Sequence, residues 1–144
     1  MPARTDPTTT EQGPHADAVV VGANWYRFRP GEYLLNPHVM SVSFIWVVRG
    51  GGVITAGGHS FRMGPNQTLR LPWHHRVEYQ ADAQHPFRIG TLHIVPQHAS
   101  DVPIEPRVAH LAGDPLLDSP ARSGNPKEFV PSMATFASGP ARRI

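Results

Sequence analysis

Pro and Gly interrupt this chain at intervals too short for most helices. Pro has no backbone N–H to donate and Gly weakens regular structure, so 16 Pro and 13 Gly in 144 residues leave only short uninterrupted segments. Within those segments apolar residues repeat with a period of two, the mark of a strand buried on one face. DAVVVG is a short apolar run ended by Gly22, after which Trp25, Arg27 and Arg29 alternate with Tyr26 and Phe28 before the turn pair Pro30-Gly31. The run Val42 to Val48 is rich in β-branched and aromatic residues, as a core strand requires, and stops at Gly50-Gly51-Gly52. That triplet reads as a tight bend or bulge and not as a phosphate loop, because the strand-like VITA follows it where a helix N-terminus would be needed. Gly57-Gly58 marks a hairpin, Gly64-Pro65-Asn66 a further turn, and the strands QTLRL, RVEYQ and FRIGTLHIV complete the series. Strands returning about every 8–12 residues with turn signals between them predict an all-β sandwich or barrel.

The ends read differently. Residues 1–16 are polar, rich in Pro and Thr and aperiodic, so they are expected to be disordered. The β-barrel domain is expected over residues 17–111, with YLLNP ending at Pro37 and DVPIEPRVAHL giving one or two short strands. Residues 112–144 turn to Pro, Ser, Ala and Gly and predict an irregular, flexible tail, the alternative being a segment that wraps the barrel. A net charge of +2 is too small to imply nucleic-acid binding, and the Arg142-Arg143 pair reads as a solvated tail. The absence of Cys excludes disulfides, thiolate metal sites and Cys nucleophiles. No segment resembles a signal peptide or reaches the length of a membrane span, and a cytoplasmic location is expected.

The pieces Val47-Val48-Arg49-Gly50-Gly51-Gly52, Gly57-Gly58-His59, Gly64-Pro65-Asn66-Gln67 and Leu69-Arg70-Leu71-Pro72-Trp73-His74-His75 occur in that order. In order and spacing, the block from Phe44 to Pro96 resembles the N-terminal ligand-binding and dimerisation domain of AraC-family transcription regulators. The resemblance implies a cupin fold, that is, a double-stranded β-helix or jelly-roll-type barrel. It further implies a sensor for a small-molecule effector such as a sugar, and a homodimer. The family's helix-turn-helix half has no counterpart here, so no direct nucleic-acid binding is expected. Two departures stand out. The family's Gly-Asp turn is Asn66-Gln67 here. The metal-ligand positions of the wider cupin pattern fall on Pro37, Val39 and Ser43. Pro and Val have no donor atom and Ser is a poor ligand, so neither a metal nor a cofactor is expected.

Nine His are many for this length. His93 shares strand phase with Ile89 and Thr91, and the resemblance points that face into the barrel and puts His75 at its mouth. A buried His needs hydrogen-bond partners, so His75, His93 and Thr91 are candidate ligand-binding residues, weighed against satisfied core histidines. His15, His59, His85 and His98 read as turn or surface residues. Arg70 lies opposite Leu69 and Leu71, either in solvent or inside the barrel beside an anion such as Glu78. Trp46 and Trp25 can stack on a flat ligand or fill the core. No catalytic residue is assigned: Glu78 and Asp82 form no acid–base pair, and Ser41 and Ser43 have no identifiable base. The rival reading is a small stand-alone cupin enzyme, an isomerase, cyclase or epimerase, with His75 and His93 as acid and base.

Overall fold

The computed structural model describes residues 18–124 and 131–135. The expected disorder of residues 1–16 lies outside them. The period-two segments form strands β1 (Val19–Arg27), β2 (Tyr33–Val39), β3 (Val42–Arg49), β4 (Gly52–Ala56), β5 (His59–Met63), β6 (Gln67–Leu71), β7 (His75–Ala81) and β8 (Arg88–Val95). Further along come the short strands β9 (Gln97–His98), β10 (Arg122–Ser123) and β11 (Ser132–Thr135), with a 3-10 turn at Pro115–Asp118. The chain is thus all-β, and no α-helix occurs among the described residues.

The strands make two antiparallel sheets, ordered β1-β8-β3-β6-β11 and β2-β7-β4-β5, plus the β9–β10 pair. Only β4 and β5 are a hairpin of sequence neighbours. Every other turn from β1 to β8 carries the chain across to the opposite sheet. Both sheets feed one core. Phe28, Ile45, Val47, Leu69, Leu71 and Ile89 come from the first sheet or its margin, and Ile54, Val77, Tyr79 and Ala81 from the second. Phe87, 0 % exposed, plugs one end of this core and packs its ring on Phe28 at 4.7 Å between centroids.

Four sequence expectations need correction. The sheets do not close into a barrel: hydrogen bonding stops at β1 and β11 in one and at β2 and β5 in the other. Gly22 does not end a strand. β1 continues through it with a register shift between Val20 and Gly22, because a residue without a side chain absorbs a bulge there. β2 runs past Pro37 to Val39, also with a register shift. It is an edge strand, where a missing N–H is tolerated. Finally, part of the segment expected to be a loose tail is paired: β10 pairs with β9, and β11 adds an edge strand to β6, Met133 opposite Leu69.

Turn residues follow conformational need. Gly50 has φ 74°, and a Cβ there would lie 2.3 Å from the Pro86 carbonyl oxygen. Asn66 takes φ 68°, a left-handed conformation that Asn tolerates better than most residues. Removal of the Phe87 plug tests the shared core. Phe87→Ala should cost about 3–5 kcal/mol in chemical denaturation, whereas Tyr33→Ala, at a residue 53 % exposed, should cost far less. Equal, small losses would mean that the two sheets do not share a core at Phe87.

Candidate functional site

A cavity of about 380 Å³ lies against the inner face near one end of β8. Strand alternation determines what faces it. Register pairs Ser43 with His93, Ile45 with Thr91 and Val47 with Ile89, so these six side chains share the inner face. From β1, Gly22 faces His93 and Asn24 faces Thr91. A Cβ at Gly22 would sit in ordinary van der Waals contact with His93 Cδ2, at 3.5 Å.

His93 is held by two serines. Its Nδ1 lies 2.8 Å from Ser41 Oγ and 3.1 Å from Ser43 Oγ, and the two hydroxyls are 3.0 Å apart. Both serines are buried, so their hydroxyls orient the ring and are shielded from solvent. Ser41 and Ser43 therefore do have a basic neighbour, contrary to the sequence reading. The sequence could not show it, because the partner is some fifty positions away: |i−j| is 52 and 50.

His75 reaches the same cavity from the opposite sheet. The preceding turn places His74 at φ 58°, which swings His75 inward, and His75 is 2 % exposed. Its Nδ1–H donates to the Pro72 carbonyl at 2.8 Å. Burial pushes the His75 pKa down to about 4, against the opposing pull of the Pro72 carbonyl. Burial likewise pushes His93 down to about 4, helped by the nearby charge of His110. Both rings are neutral at pH 7. Tyr79 also lines the cavity, and burial raises its hydroxyl pKa.

The mouth is covered by the segment expected to hold one or two strands. Residues 103–110 are irregular instead, and Pro106, Arg107, Val108 and His110 line the cavity. Three ties hold this cover down. Met40 N–H donates to the Ala109 carbonyl at 3.0 Å, and Arg107 pairs with Asp114 and with Glu105. The third tie is Arg122, only 4 % exposed, whose guanidinium donates to the Arg107 carbonyl at 2.8 Å and to the Glu105 carbonyl. Burial lowers the Arg122 pKa. Sequence reasoning missed Arg122, since nothing local distinguishes a buried Arg within a Pro- and Ser-rich stretch.

Three of the five candidate ligand-binding residues, His75, Thr91 and His93, meet at this cavity. Trp46 and Arg70 do not. Trp46 registers with Gly90, and Arg70 with Phe44, both one residue out of phase with the inner face. Trp46 instead lies over Gly90, where an added Cβ would come within 2.3 Å of its ring, and Trp25 meets it edge-on at 5.4 Å. Among the minor expectations, His98 is buried and not a surface residue, its Nε2 donating to the Val102 carbonyl at 2.8 Å. Trp73 packs against Gly124, where an added Cβ would lie 2.2 Å from the indole. Of the cupin metal positions, Val39 lines the cavity, Ser43 is engaged by His93 and Pro37 is exposed.

No protein-family model matches the chain, and neither does any curated protein. Among solved structures, the chain is similar to a protein of unknown function from Rhizobium leguminosarum bv. viciae 3841, at 17 % identity and a TM-score of 0.44, over 65 % of this chain and 98 % of that one. A likeness of that degree carries no functional weight, so function is read from the cavity.

The two buried rings make stability pH-dependent. Folding depresses both pKa values from about 6.5, so the unfolded chain takes up these protons first as pH falls. Their stabilising share is complete above about pH 6.5 and is lost progressively towards pH 4. Denaturation midpoints should therefore fall steeply across that window, and the slope should be shallower in His75→Gln. A flat profile from pH 7 to pH 4.5 would contradict the burial of neutral imidazoles.

Proposed function

We propose that this chain is a small-molecule-binding module of the cupin, jelly-roll type, akin to the sensor domain of AraC-family regulators. Its ligand would sit between the sheets against His75, Thr91 and His93. The strand orders β1-β8-β3-β6 and β2-β7-β4-β5 support the fold assignment, since eight strands alternating between two sheets are the jelly-roll pattern. The observation that carries the functional reading is the cavity's lining. Two neutral imidazoles from opposite sheets, with Thr91, Asn24 and Asn36, surround a space of about 380 Å³, within the size range of small-molecule sites. With the charge of Arg107 at the mouth committed to Asp114 and Glu105, the remaining neutral polar groups on apolar walls suit an uncharged, hydroxyl-rich ligand such as a sugar.

The same pair of histidines is what an isomerase or epimerase would use, but their pKa values favour binding. Rings held near pH 4 are weak bases at neutral pH, whereas general bases work best with a pKa near the operating pH. A homodimer belongs to this reading and is supported by β1 and β2, which are edge strands among the described residues. Regulation in the cytoplasm follows from the same likeness.

A thermal-shift screen of neutral sugars and related metabolites tests the reading. A ligand should raise the Tm of the native chain, and His93→Ala should abolish that rise while retaining the native circular dichroism spectrum. Hits that stabilise His93→Ala equally would place the ligand elsewhere. Turnover of a hit by the native chain, lost in His75→Ala, would instead favour the enzyme. Light scattering at high micromolar concentration should give a dimer mass, and a monomer would count against the sensor likeness.

A further inference from the structure

A second, larger concavity of about 850 Å³ opens where β1 and β3 end and β8 begins, and its lining is basic. Arg88 opens β8, which places it at the end of the strand away from His93. It is directly opposite Arg27 on β1 and Arg49 on β3. Three like charges thus stand in one cross-strand row, with backbones roughly 5 Å apart from strand to strand. Like charges directly opposite one another in a sheet repel. All three are exposed and line the concavity, and none forms an ion pair or side-chain hydrogen bond among the described residues. A fourth arginine, Arg62, also lines it, but holds Asp82 through both carboxylate oxygens at 3.1 and 3.2 Å. Asp82 is the only acidic side chain among the described lining residues, and it is thereby committed.

The floor beneath this row is fixed. Gly51 N–H donates to the His85 carbonyl at 2.8 Å, Asp82 N–H donates to the Gly51 carbonyl at 3.1 Å, and Gly51 and Pro86 form a parallel bridge. Fixed backbones set the three arginine stems side by side. Guanidinium groups present planar forks of donors suited to oxyanions with several acceptor oxygens.

We propose that this groove binds a small polyanionic phosphate ligand, a diphosphate or a phosphate ester, clamped by Arg27, Arg49 and Arg88. The site is separate from the histidine cavity and does not depend on what that cavity binds. The ligand's charge relieves the repulsion within the row, so occupancy and stability are coupled. Trp25, 60 % exposed and two residues from Arg27 on the same outer face, reports on the event.

Calorimetric titration of the full chain with inorganic pyrophosphate at low ionic strength tests the proposal. The expected result is saturable binding of one ion per chain, a change in tryptophan fluorescence, and weakening as salt rises. Arg88→Gln should weaken binding by about tenfold or more, equivalent to about 1.4 kcal/mol, whereas Arg76→Gln, the same charge change outside the groove, should leave it within about twofold. Without any anion, Arg88→Gln should raise the Tm at low salt, because it removes the central charge of the row. The proposal is overturned if pyrophosphate shows no saturable binding at millimolar concentration, or if Arg88→Gln and Arg76→Gln weaken it equally. It also fails if citrate or a short single-stranded oligonucleotide binds more tightly than pyrophosphate, since the groove would then select carboxylates or nucleic acid.

Discussion

The contact on which the histidine cavity depends is the hydrogen bonding of His93 Nδ1 by Ser41 and Ser43. Strand alternation obliges the side chain of residue 93 to face inward with Thr91 and Ile89. An imidazole there, left unpaired, would cost about 1–3 kcal/mol. The two buried hydroxyls offset that cost and fix the plane of the ring. They also join β3 to β8 by side chains at the place where the cavity begins. Without them the ring would either turn towards solvent or be replaced by an apolar residue, and the cavity would lose one of its two polar walls. His75 is the counterpart from the other sheet, fixed by a carbonyl at the turn and not by a hydroxyl pair.

The two ends of β8 carry opposite chemistry. One end faces a cavity lined by rings that burial keeps uncharged. The other carries a row of exposed guanidinium groups over a groove. Among the described residues, the C-terminal segment meets the first end through β10 and Arg122. It pairs β10 with β9 and buries Arg122, whose guanidinium satisfies two carbonyls of the segment that covers the cavity. A buried Arg is tolerated there because carbonyl oxygens accept hydrogen bonds from its guanidinium, while burial still disfavours its charge.

Most of the strand plan could be read from the sequence, since period-two alternation and Gly/Pro turns are local signals. The phase of Ile89, Thr91 and His93 correctly set one inner face, and the Leu69–Arg70–Leu71 alternation left Arg70 two possible sides. Register decided between them, and register is long-range: Arg70 pairs with Phe44 on the outer face. Trp46 illustrates the same limit, because its place over Gly90 depends on how β3 aligns with β8. Ser41 and Ser43 were unreadable as partners of His93 for that reason. Gly22 and Pro37 misled because breakers weaken a strand but do not end one that is held by its neighbours through a bulge or at an edge. The covering segment 103–110 and the paired tail leave no periodic trace, since irregular backbone tied down by single hydrogen bonds has no repeat to detect.

The central claim is that the space between His75 and His93 is a ligand site and not a packing fault. A crystal structure of the protein purified directly from cells, without added ligands, tests it most directly. The expected result is an open cavity, with His93 Nδ1 on Ser41 and Ser43, His75 Nδ1 on the Pro72 carbonyl, and a non-protein molecule or ordered waters between the rings. A cavity filled by side chains of residues 103–110, or either imidazole turned out of it, would contradict the assignment.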